Sequence, residues 1–342
     1  MPTDTSAPVP TAVVGVGKLG LFHARLMKQS ALADLRAVVD PDPARAEEVA
    51  KELGVTPLTS TDDLPSEVAA VSVAAPTSLH HAVAMPLLER GLHVLVEKPM
   101  AATLEEAREM HALASDKGLV LQVGHIERFN PALAAYNQLG VQPRFIEAHR
   151  LAPFNFRTLD TSVVMDLMIH DIDIVLELAQ SPLARVDAVG SRVLGRHVDI
   201  ANARLVFENG CVANVTASRV SFEPMRRTRV FGDDTFCSID FGTRRAFVVR
   251  KAEGFDLGSL DLEAAAARNI EPKDSFKEFL AQGLMDLSEI DMEATNPLLD
   301  EVEAFLGNVR GQASGGVPGR DGLRAMEVAL AITEEIESHR WT

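Results

Sequence analysis

The first 123 residues of this chain repeat one pattern, in which a short, continuously apolar run is followed by a stretch with helical periodicity. Continuous apolar runs predict strands that are covered on both faces, as in a parallel sheet. The predicted strands are 11–17, 35–40, 70–75, 93–97 and 119–123, and the predicted helices are 18–29, 43–53, one that ends at 90, and 104–117. The pattern therefore predicts an α/β domain over residues 1–123, with a parallel, doubly wound sheet.

The pattern changes after Gly124. The predicted elements are one long helix over 161–180, strand after strand between 185 and 250, helix and loop with an exposed edge over 251–296, and helices over 297–309 and 320–338. The Asn209-Gly210 pair is typical of a β-hairpin, and strands joined by such turns are antiparallel. Because 342 residues exceed what one ordinary core organises, residues 124–342 are predicted to form a second, α+β domain with a mainly antiparallel open sheet.

A glycine-rich turn follows the first predicted strand and opens the first predicted helix. Its G-x-G-x-x-G pattern is weak alone, but in this context glycines let a dinucleotide pyrophosphate approach the helix N-terminus. Asp40 lies 20 residues after the last glycine, where a carboxylate accepts hydrogen bonds from the ribose of NAD and repels the 2′-phosphate of NADP. The residues predicted to bind NAD here are Gly15, Gly17, Lys18, Leu19, Gly20 and Asp40. The turn, its context and the acid together predict a Rossmann domain with NAD as cofactor.

Two further strand ends are expected at the same crevice, because ligands of doubly wound sheets bind beyond the carboxyl ends of the strands. Lys98 follows a buried strand, and Pro99 biases it to an extended backbone, which fixes where its side chain starts. A lysine that caps a helix or lies in solvent is the alternative interpretation. The cofactor-binding residues predicted at these two ends are Ala75, Pro76, Thr77, His80, Glu97 and Lys98.

A narrow polar stripe runs along the otherwise apolar helix predicted over 161–180. Its members fall at i, i+4, i+7 and i+11, and they are Asp166, His170, Asp173 and Glu177. Buried polar side chains need partners, so the stripe either faces a ligand pocket or forms a satisfied internal network. A buried histidine beside an aspartate is a suitable general base, because the carboxylate fixes its tautomer and supports its cation.

The glycine turn, the EKP sequence at 97–99 and the D-x-x-x-H-x-x-D sequence at 166–173 together resemble the Gfo/Idh/MocA oxidoreductase family over essentially the whole chain. The resemblance implies hydride transfer between a nicotinamide and a carbohydrate carbon, with Lys98, Asp166 and His170 as the catalytic residues. It also implies homodimers or homotetramers formed through the open C-terminal sheet.

Residues 123–131, 150–157 and 162–173 are similar to a bacterial subgroup of that family. This resemblance implies oxidation of UDP-N-acetylglucosamine at C3, ahead of a transamination that yields a 2,3-diamino sugar for lipid A. The predicted substrate-binding residues are Lys98, His125, Arg128, Asn130, Arg157, Asp166 and His170, and contact with the nicotinamide is the alternative for His125 and Asn130. For the diphosphate the candidates are Arg128, Arg150 and Arg157, whereas a second basic group, Arg226, Arg227, Arg229, Arg244 and Arg245, is expected to face solvent or an oligomer contact.

The sequence leaves three questions open. One is the base: His170 takes the proton while Lys98 stabilises the alkoxide, or burial lowers the pKa of Lys98 enough for the lysine to act. Another is the substrate, because an inositol or another sugar suits the same residues. The third is the class of protein, since a non-catalytic NAD-binding regulator can share this fold. The presence of Lys98, Asp166 and His170 together favours an enzyme.

Composition excludes several other classes. A formal net charge of −16 argues against a nucleic-acid partner, which positive charge would attract. Runs of 18 apolar residues do not occur, so no membrane span is predicted, and the polar, proline-rich first 11 residues do not resemble a secretory signal. We therefore expect a cytoplasmic enzyme. Cys211 and Cys237 are predicted to be buried free thiols, and no metal is expected.

Overall fold

The computed structural model describes residues 7–155, 161–252, 285–290 and 295–339. Its first sheet has six strands in the order β3-β2-β1-β4-β5-β6. These strands are β1 (Val9–Val14), β2 (Ala33–Val39), β3 (Thr56–Leu58), β4 (Ala70–Val73), β5 (His93–Glu97) and β6 (Leu121–Gly124). Every pairing in this sheet is parallel, which confirms the predicted Rossmann arrangement. The short edge strand β3 was not predicted.

Helices cover both faces of this sheet. They are α1 (Lys18–Gln29), α2 (Pro43–Leu53), α3 (His80–Glu89) and α4 (Leu104–Asp116). Successive residues of one strand enter different apolar clusters, with Val14 in one and Val13 in the other, as expected for a strand buried on both faces. Helix α4 begins with a capping box: the Thr103 hydroxyl accepts from the Glu106 N–H, and the Glu106 carboxylate accepts from the Thr103 N–H.

The second sheet has eight strands in the order β14-β13-β12-β11-β7-β10-β9-β8. They are β7 (Phe145–Leu151), β8 (Leu183–Ser191), β9 (Ile200–Phe207), β10 (Val212–Ser218), β11 (Met225–Phe231), β12 (Thr235–Asp240), β13 (Arg245–Lys251) and β14 (Met285–Ile290). Its pairings are antiparallel except for β7 with β10, so the predicted mainly antiparallel sheet is confirmed. Buried and more exposed residues alternate along its strands, so one face is covered and the other is open.

One face of the second sheet is covered by the polar-striped helix. The sequence predicts a single regular helix over 161–180; the structure instead has a π-helical turn, Val164–Met168, followed by α6 (Ile169–Ala179). A short helix, α5 (Pro131–Asn137), begins after the last strand of the first sheet and packs against β12 and β13. The chain therefore passes from the first sheet to the second through the turn that precedes α5.

The last two helices return to the first sheet. They are α7 (Pro297–Val309) and α8 (Gly319–Ser338). Val302 and Phe305 of α7 share an apolar cluster with Val13 and Leu95 of β1 and β5. Helix α8 packs against α4 and β6 on one side and against α6 and β8 on the other. The domain bounds of 1–123 and 124–342 stay a prediction, but the core around the first sheet includes residues from the end of the chain.

Three smaller expectations concern the rest of the molecule. Strand β14 is an exposed edge strand within the stretch expected to hold helix and loop, and residues 253–284 and 291–294 of that stretch lie outside the described residues. Both cysteines are buried and free, as predicted. Among the described helices, none has the length and hydropathy of a membrane span.

Candidate active site

The glycine turn between β1 and α1 contains glycines of two kinds. Gly15 has a φ of +79°, and a Cβ on Gly20 would lie 1.8 Å from the Gly15 carbonyl oxygen, so both are required by the turn itself. A Cβ on Gly17, by contrast, would meet nothing within 4 Å. Gly17 is also the N-cap of α1, and no side chain caps this helix. The open surface and the uncapped N–H groups fit the pyrophosphate of a dinucleotide.

Asp40 lies directly after β2 and borders the same turn. Its carboxylate accepts hydrogen bonds from the N–H groups of Val16 (3.0 Å) and Asp42 (3.1 Å), which fix its position and leave lone pairs for ribose hydroxyls. Arg45 also reaches this turn, where it donates to the Val16 carbonyl oxygen (2.8 Å), but its guanidinium is paired with Glu48. Asp40 thus holds a carboxylate beside the glycine turn, and its contact with the ribose of NAD stays a prediction.

The end of β4 is fastened to the segment after β5 by His80. Its Nε2 lies 2.8 Å from the carbonyl oxygen of Ala75, and its Nδ1 lies 3.0 Å from that of Pro99. The ring is therefore engaged with the backbone on both sides, and it holds the Ala75-Pro76-Thr77 segment beside the Lys98 segment. A direct role of His80 or of these three residues in NAD binding stays a prediction.

Glu97 belongs to a buried cluster on the α1 side of the first sheet. Its Oε1 lies 2.9 Å from Nε2 of His23, whose Nδ1 lies 2.9 Å from the Ser72 hydroxyl. Glu301 of α7 completes the cluster, and nitrogen and oxygen atoms of His23, Glu97 and Glu301 all lie within 4.8 Å of one another. Sequence reasoning missed His23 and Glu301, because they belong to α1 and α7 and no spacing relates two positions so far apart.

Lys98, directly after β5 of the first sheet, lies against Asp166 in the π-helical turn that packs on the second sheet. The Lys98 ammonium donates to the Asp166 carbonyl oxygen (2.7 Å) and lies 3.6 Å from Asp166 Oδ1. Burial lowers the pKa of Lys98, and the carboxylates of Asp166 and Glu97 oppose that shift. The amine is thus held at the π-helical turn, a kind of distortion that is frequent at functional sites.

His170 lies one turn after Asp166 on the same helix. Its Nδ1 is buried without a hydrogen-bond partner among the described residues. The ring of His125 stands edge-on to it, with 6.3 Å between the ring centroids. Burial holds the pKa of His170 well below its ordinary value, and the positive charges of Lys98 and Arg150 add to that shift. The imidazole is therefore neutral near pH 7 and able to accept a proton.

The polar stripe divides into two halves with different surroundings. Asp173 receives two hydrogen bonds from Arg128 (2.7 and 2.9 Å), and Glu177 receives a third (2.6 Å). Asp166 and His170 lie instead beside Lys98. The sequence left open whether the stripe forms an internal network or faces a ligand pocket. Its second half, Asp173 and Glu177, forms an internal network with Arg128. Its first half, Asp166 and His170, lies on the side of Lys98.

The remaining predicted substrate residues near this helix are mostly bound to protein groups. Arg150 is 4% exposed and pairs with Asp171 (2.8 and 3.0 Å) and Glu127 (2.9 Å). Asn130 caps α5 by accepting from the Ala132 N–H. Both ring nitrogens of His125 are buried without partners among the described residues, and burial lowers its pKa. Arg157 lies outside the described residues, and the substrate roles of all four stay predictions.

A nicotinamide-dependent alcohol dehydrogenase needs a dinucleotide-binding turn, a cation for the alcohol oxygen and a base for its proton. This chain has the glycine turn, the partly desolvated amine of Lys98 and the neutral imidazole of His170. The fold and the site thus define an NAD-dependent oxidoreductase that acts on CH–OH groups. A family model described as the oxidoreductase family with an NAD-binding Rossmann fold matches residues 9–125, and one for the GFO/IDH/MocA C-terminal domain matches residues 141–236. The chain belongs to the Gfo/Idh/MocA family.

Individual relatives are similar over most of the chain. UDP-N-acetylglucosamine 3-dehydrogenase of Acidithiobacillus ferrooxidans is 37% identical over 329 residues, which are 96% of this chain and 97% of that protein. A solved structure of the same enzyme has a TM-score of 0.83 over 97% of this chain and 98% of that chain, at 36% identity. The NAD-dependent scyllo-inositol 2-dehydrogenase of Bacillus subtilis is 31% identical over 73% of this chain and 79% of that protein. Levoglucosan dehydrogenase in complex with NADH shares the fold, with a TM-score of 0.79 at 18% identity over 96% of this chain and 97% of that chain.

Proposed function

We propose that this protein oxidises UDP-N-acetylglucosamine at C3 to the 3-keto sugar, with NAD as the hydride acceptor. The observation that carries the proposal is the 37% identity to a UDP-N-acetylglucosamine 3-dehydrogenase over 96% of the chain, because it extends through both the dinucleotide-binding part and the substrate-binding part. The geometry around Lys98 and His170 supports the same chemistry.

The chain's own groups divide the work at the alcohol. NAD, which the glycine turn and Asp40 would hold, would supply the hydride acceptor for the sugar carbon. His170 takes the hydroxyl proton, since its half-buried ring is neutral near pH 7 and lies beside Lys98 on the catalytic side. Lys98 is already oriented by the Asp166 carbonyl, and its remaining N–H groups stabilise the charge that develops on the sugar oxygen. Asp166 keeps the ammonium in place and neutralises it before substrate enters.

The test is turnover of UDP-N-acetylglucosamine by the purified protein with NAD, followed by NADH absorbance and by mass spectrometry of the keto sugar. Free N-acetylglucosamine should be a poor substrate, because contacts to the remote nucleotide also contribute to transition-state binding. Lys98→Met should keep NAD affinity and lower kcat by about 10²-fold or more. Unchanged turnover in Lys98→Met would rule out the assigned role of the lysine.

The relative from Bacillus subtilis favours a second candidate, oxidation of an inositol. The same assay separates the two, because a polyol dehydrogenase reduces NAD with scyllo-inositol and needs no nucleotide on its substrate. A higher kcat/KM for scyllo-inositol than for UDP-N-acetylglucosamine would overturn the main proposal.

The proposal extends to the setting of the enzyme. The 3-keto product is a substrate for the transamination that gives a 2,3-diamino sugar of lipid A, and a cytoplasmic location would supply both NAD and nucleotide sugar. The open face of the second sheet suits self-association, because a row of phenylalanines crosses it. Their centroids are 4.9–5.8 Å apart, and the row is Phe145, Phe231, Phe236 and Phe247. Exposed aromatic rows of this kind are typical of interfaces.

A further inference from the structure

A nucleotide-sugar substrate brings a diphosphate to a protein with a formal net charge of −16, so positive charge has to be supplied locally. Two arginines closest to the catalytic helix are poor donors for it. Arg128 is held by Asp173 and Glu177, and Arg150 is held by Asp171 and Glu127. Releasing either one would leave buried carboxylates unpaired, which is strongly unfavourable.

The sheet register places another arginine on the catalytic side. Strand β11 pairs antiparallel with β7, and Arg226 lies directly opposite Arg150. Side chains that lie opposite each other in an antiparallel pair share one face of the sheet. Arg150 is on the covered face, where it bonds Asp171, the neighbour of His170. Arg226 therefore starts from the face that carries the catalytic helix.

Arg226 also has an uncommitted guanidinium. Its side chain is 57% exposed, and its Nη1 lies 3.9 Å from Glu127 Oε1, which already accepts a hydrogen bond from Arg150 (2.9 Å). Within the described residues no hydrogen bond from the Arg226 guanidinium is formed. Its positive charge contributes to the lowered pKa of His170, as expected for a cation at the same site.

The neighbouring arginines of β11 differ from Arg226 both in the face of the sheet they occupy and in having ion-pair partners. Arg227 lies opposite His149 on the other face and pairs with Asp240 (3.1 Å), and Arg229 pairs with Glu147. The sequence analysis grouped Arg226 with them as a solvent or oligomer contact. The alternation of the strand separates Arg226 from these two, because successive residues point to opposite faces.

We propose that Arg226 binds the diphosphate of a nucleotide-sugar substrate at the mouth of the active site. The inference rests on the proposed function and adds to it the group that recognises the anionic part of the substrate. Its planar guanidinium donates in the fork geometry that suits phosphate oxygens, and its partial exposure lets the ligand reach it. Glu127, held by Arg150, keeps the side chain near the entrance.

The experiment compares Arg226→Gln with Arg227→Gln in the full-length, NAD-loaded enzyme. Arg226→Gln should raise KM for UDP-N-acetylglucosamine and weaken inhibition by UDP by roughly 10- to 100-fold, as expected for loss of charge-assisted hydrogen bonds. The kcat should change little, because diphosphate contacts are equal in ground and transition states. NAD affinity, measured by fluorescence titration, should be unchanged, which excludes the cofactor's pyrophosphate as the anion bound. Arg227→Gln should resemble the parent enzyme in every readout.

The outcomes separate this inference from the function on which it rests. Normal KM and UDP inhibition in Arg226→Gln, with a parent enzyme that turns over UDP-N-acetylglucosamine, would overturn the role of Arg226 alone. A parent enzyme that binds UDP without turning over the sugar would overturn the proposed function, and calorimetry with UDP would still decide the role of Arg226. A parent enzyme that neither binds UDP nor oxidises the sugar would overturn both.

Discussion

Glu301 has surroundings that are unusual for a carboxyl group. It is 0% exposed, and neither of its side-chain oxygens has a hydrogen-bond donor within the described part of the chain. Burial raises the pKa of Glu301 well above its ordinary value, and the negative charge of Glu97 raises it further. Glu301 therefore holds its proton to higher pH than an ordinary carboxyl group, and in the protonated form it can donate a hydrogen bond within its cluster with Glu97 and His23.

The raised pKa of Glu301 leads to a prediction about how stability depends on pH. A carboxyl whose pKa is higher in the folded state destabilises the fold progressively as the pH rises above the unfolded pKa and towards the folded one. Glu301→Gln stays neutral, so its free energy of unfolding should gain on that of the parent as pH rises, by up to about 1.4 kcal/mol per pH unit. Urea unfolding between pH 5 and pH 8 measures this difference. Glu303→Gln is the matched control. Glu303 lies on the same helix as Glu301, and its carboxylate accepts a hydrogen bond from the Ser30 hydroxyl.

A difference between parent and Glu301→Gln that does not depend on pH would show that Glu301 is ionised in the folded protein. In that case its neighbourhood would have to supply a donor other than its own proton.

Single residues differ in how far the sequence could predict them. Asp166 and His170 could be grouped by their helical spacing, whereas Lys98 could be joined to them only through the resemblance to the family. The partners of Arg128 could not, since spacing tells which residues share a helix face but not what lies opposite that face. The assignment of Arg128 to a diphosphate stays a prediction, and the structure shows its three hydrogen bonds to Asp173 and Glu177.

Among the elements, the turn between β1 and α1 allows folding and binding to be tested separately. Gly20→Ala would bring a Cβ to within 1.8 Å of a backbone oxygen, whereas Gly17→Ala would meet nothing within 4 Å. We expect Gly20→Ala to lose about 3 kcal/mol or more of unfolding free energy, because backbone must shift to admit the methyl group. Gly17→Ala should fold with nearly unchanged Tm and bind NAD more weakly. Thermal unfolding and NAD titration of both variants make the comparison.

Equal NAD affinity in Gly17→Ala and the parent would mean that the open surface above Gly17 is not where the pyrophosphate lies. The prediction for Gly20 would remain unaffected, because it depends on the turn alone.

Strand β7 and the π-helical turn could not be predicted from the sequence, for a common physical reason. Strand β7 carries Glu147, His149 and Arg150, so it lacks the apolar content by which its neighbours were identified, although its burial alternates regularly. The π-helical turn at Val164–Met168 keeps the apolar pattern of an ordinary helix, and nothing in that pattern reports the wider turn. Charged strands and local widening are both set by tertiary partners, here the catalytic helix and Lys98.

At the scale of the whole molecule, a partly buried arginine links the two sheets. Arg128 follows β6 of the first sheet, and its bidentate partner Asp173 lies on the helix that covers the second. Arg128→Met should lower the free energy of unfolding by about 3 kcal/mol, because it leaves the buried Asp173 carboxylate unpaired. Chemical denaturation measures the loss. Arg25→Met is the control, since it breaks only the half-exposed pair with Glu52 and should cost much less than Arg128→Met.

Similar losses of unfolding free energy in the two variants would show that the Arg128 pair adds no more stability than a surface pair does.

The architecture of each sheet could be predicted from apolar patterns. The Arg128 connection could not, because it depends on how the two sheets pack together in the folded protein. The same holds for α7, whose pattern predicts an amphipathic helix without saying which surface it covers.

The return of α7 to the first sheet has a consequence for biosynthesis. A ribosome completes β1 and β5 early, yet Val302 and Phe305, which cover their apolar side chains, emerge only after the strands of both sheets have been synthesised. Until then the nascent N-terminal half exposes an apolar surface of the kind that chaperones and proteases recognise. A chain cut short before Pro297 would consequently keep this apolar surface exposed and become a target for proteolysis.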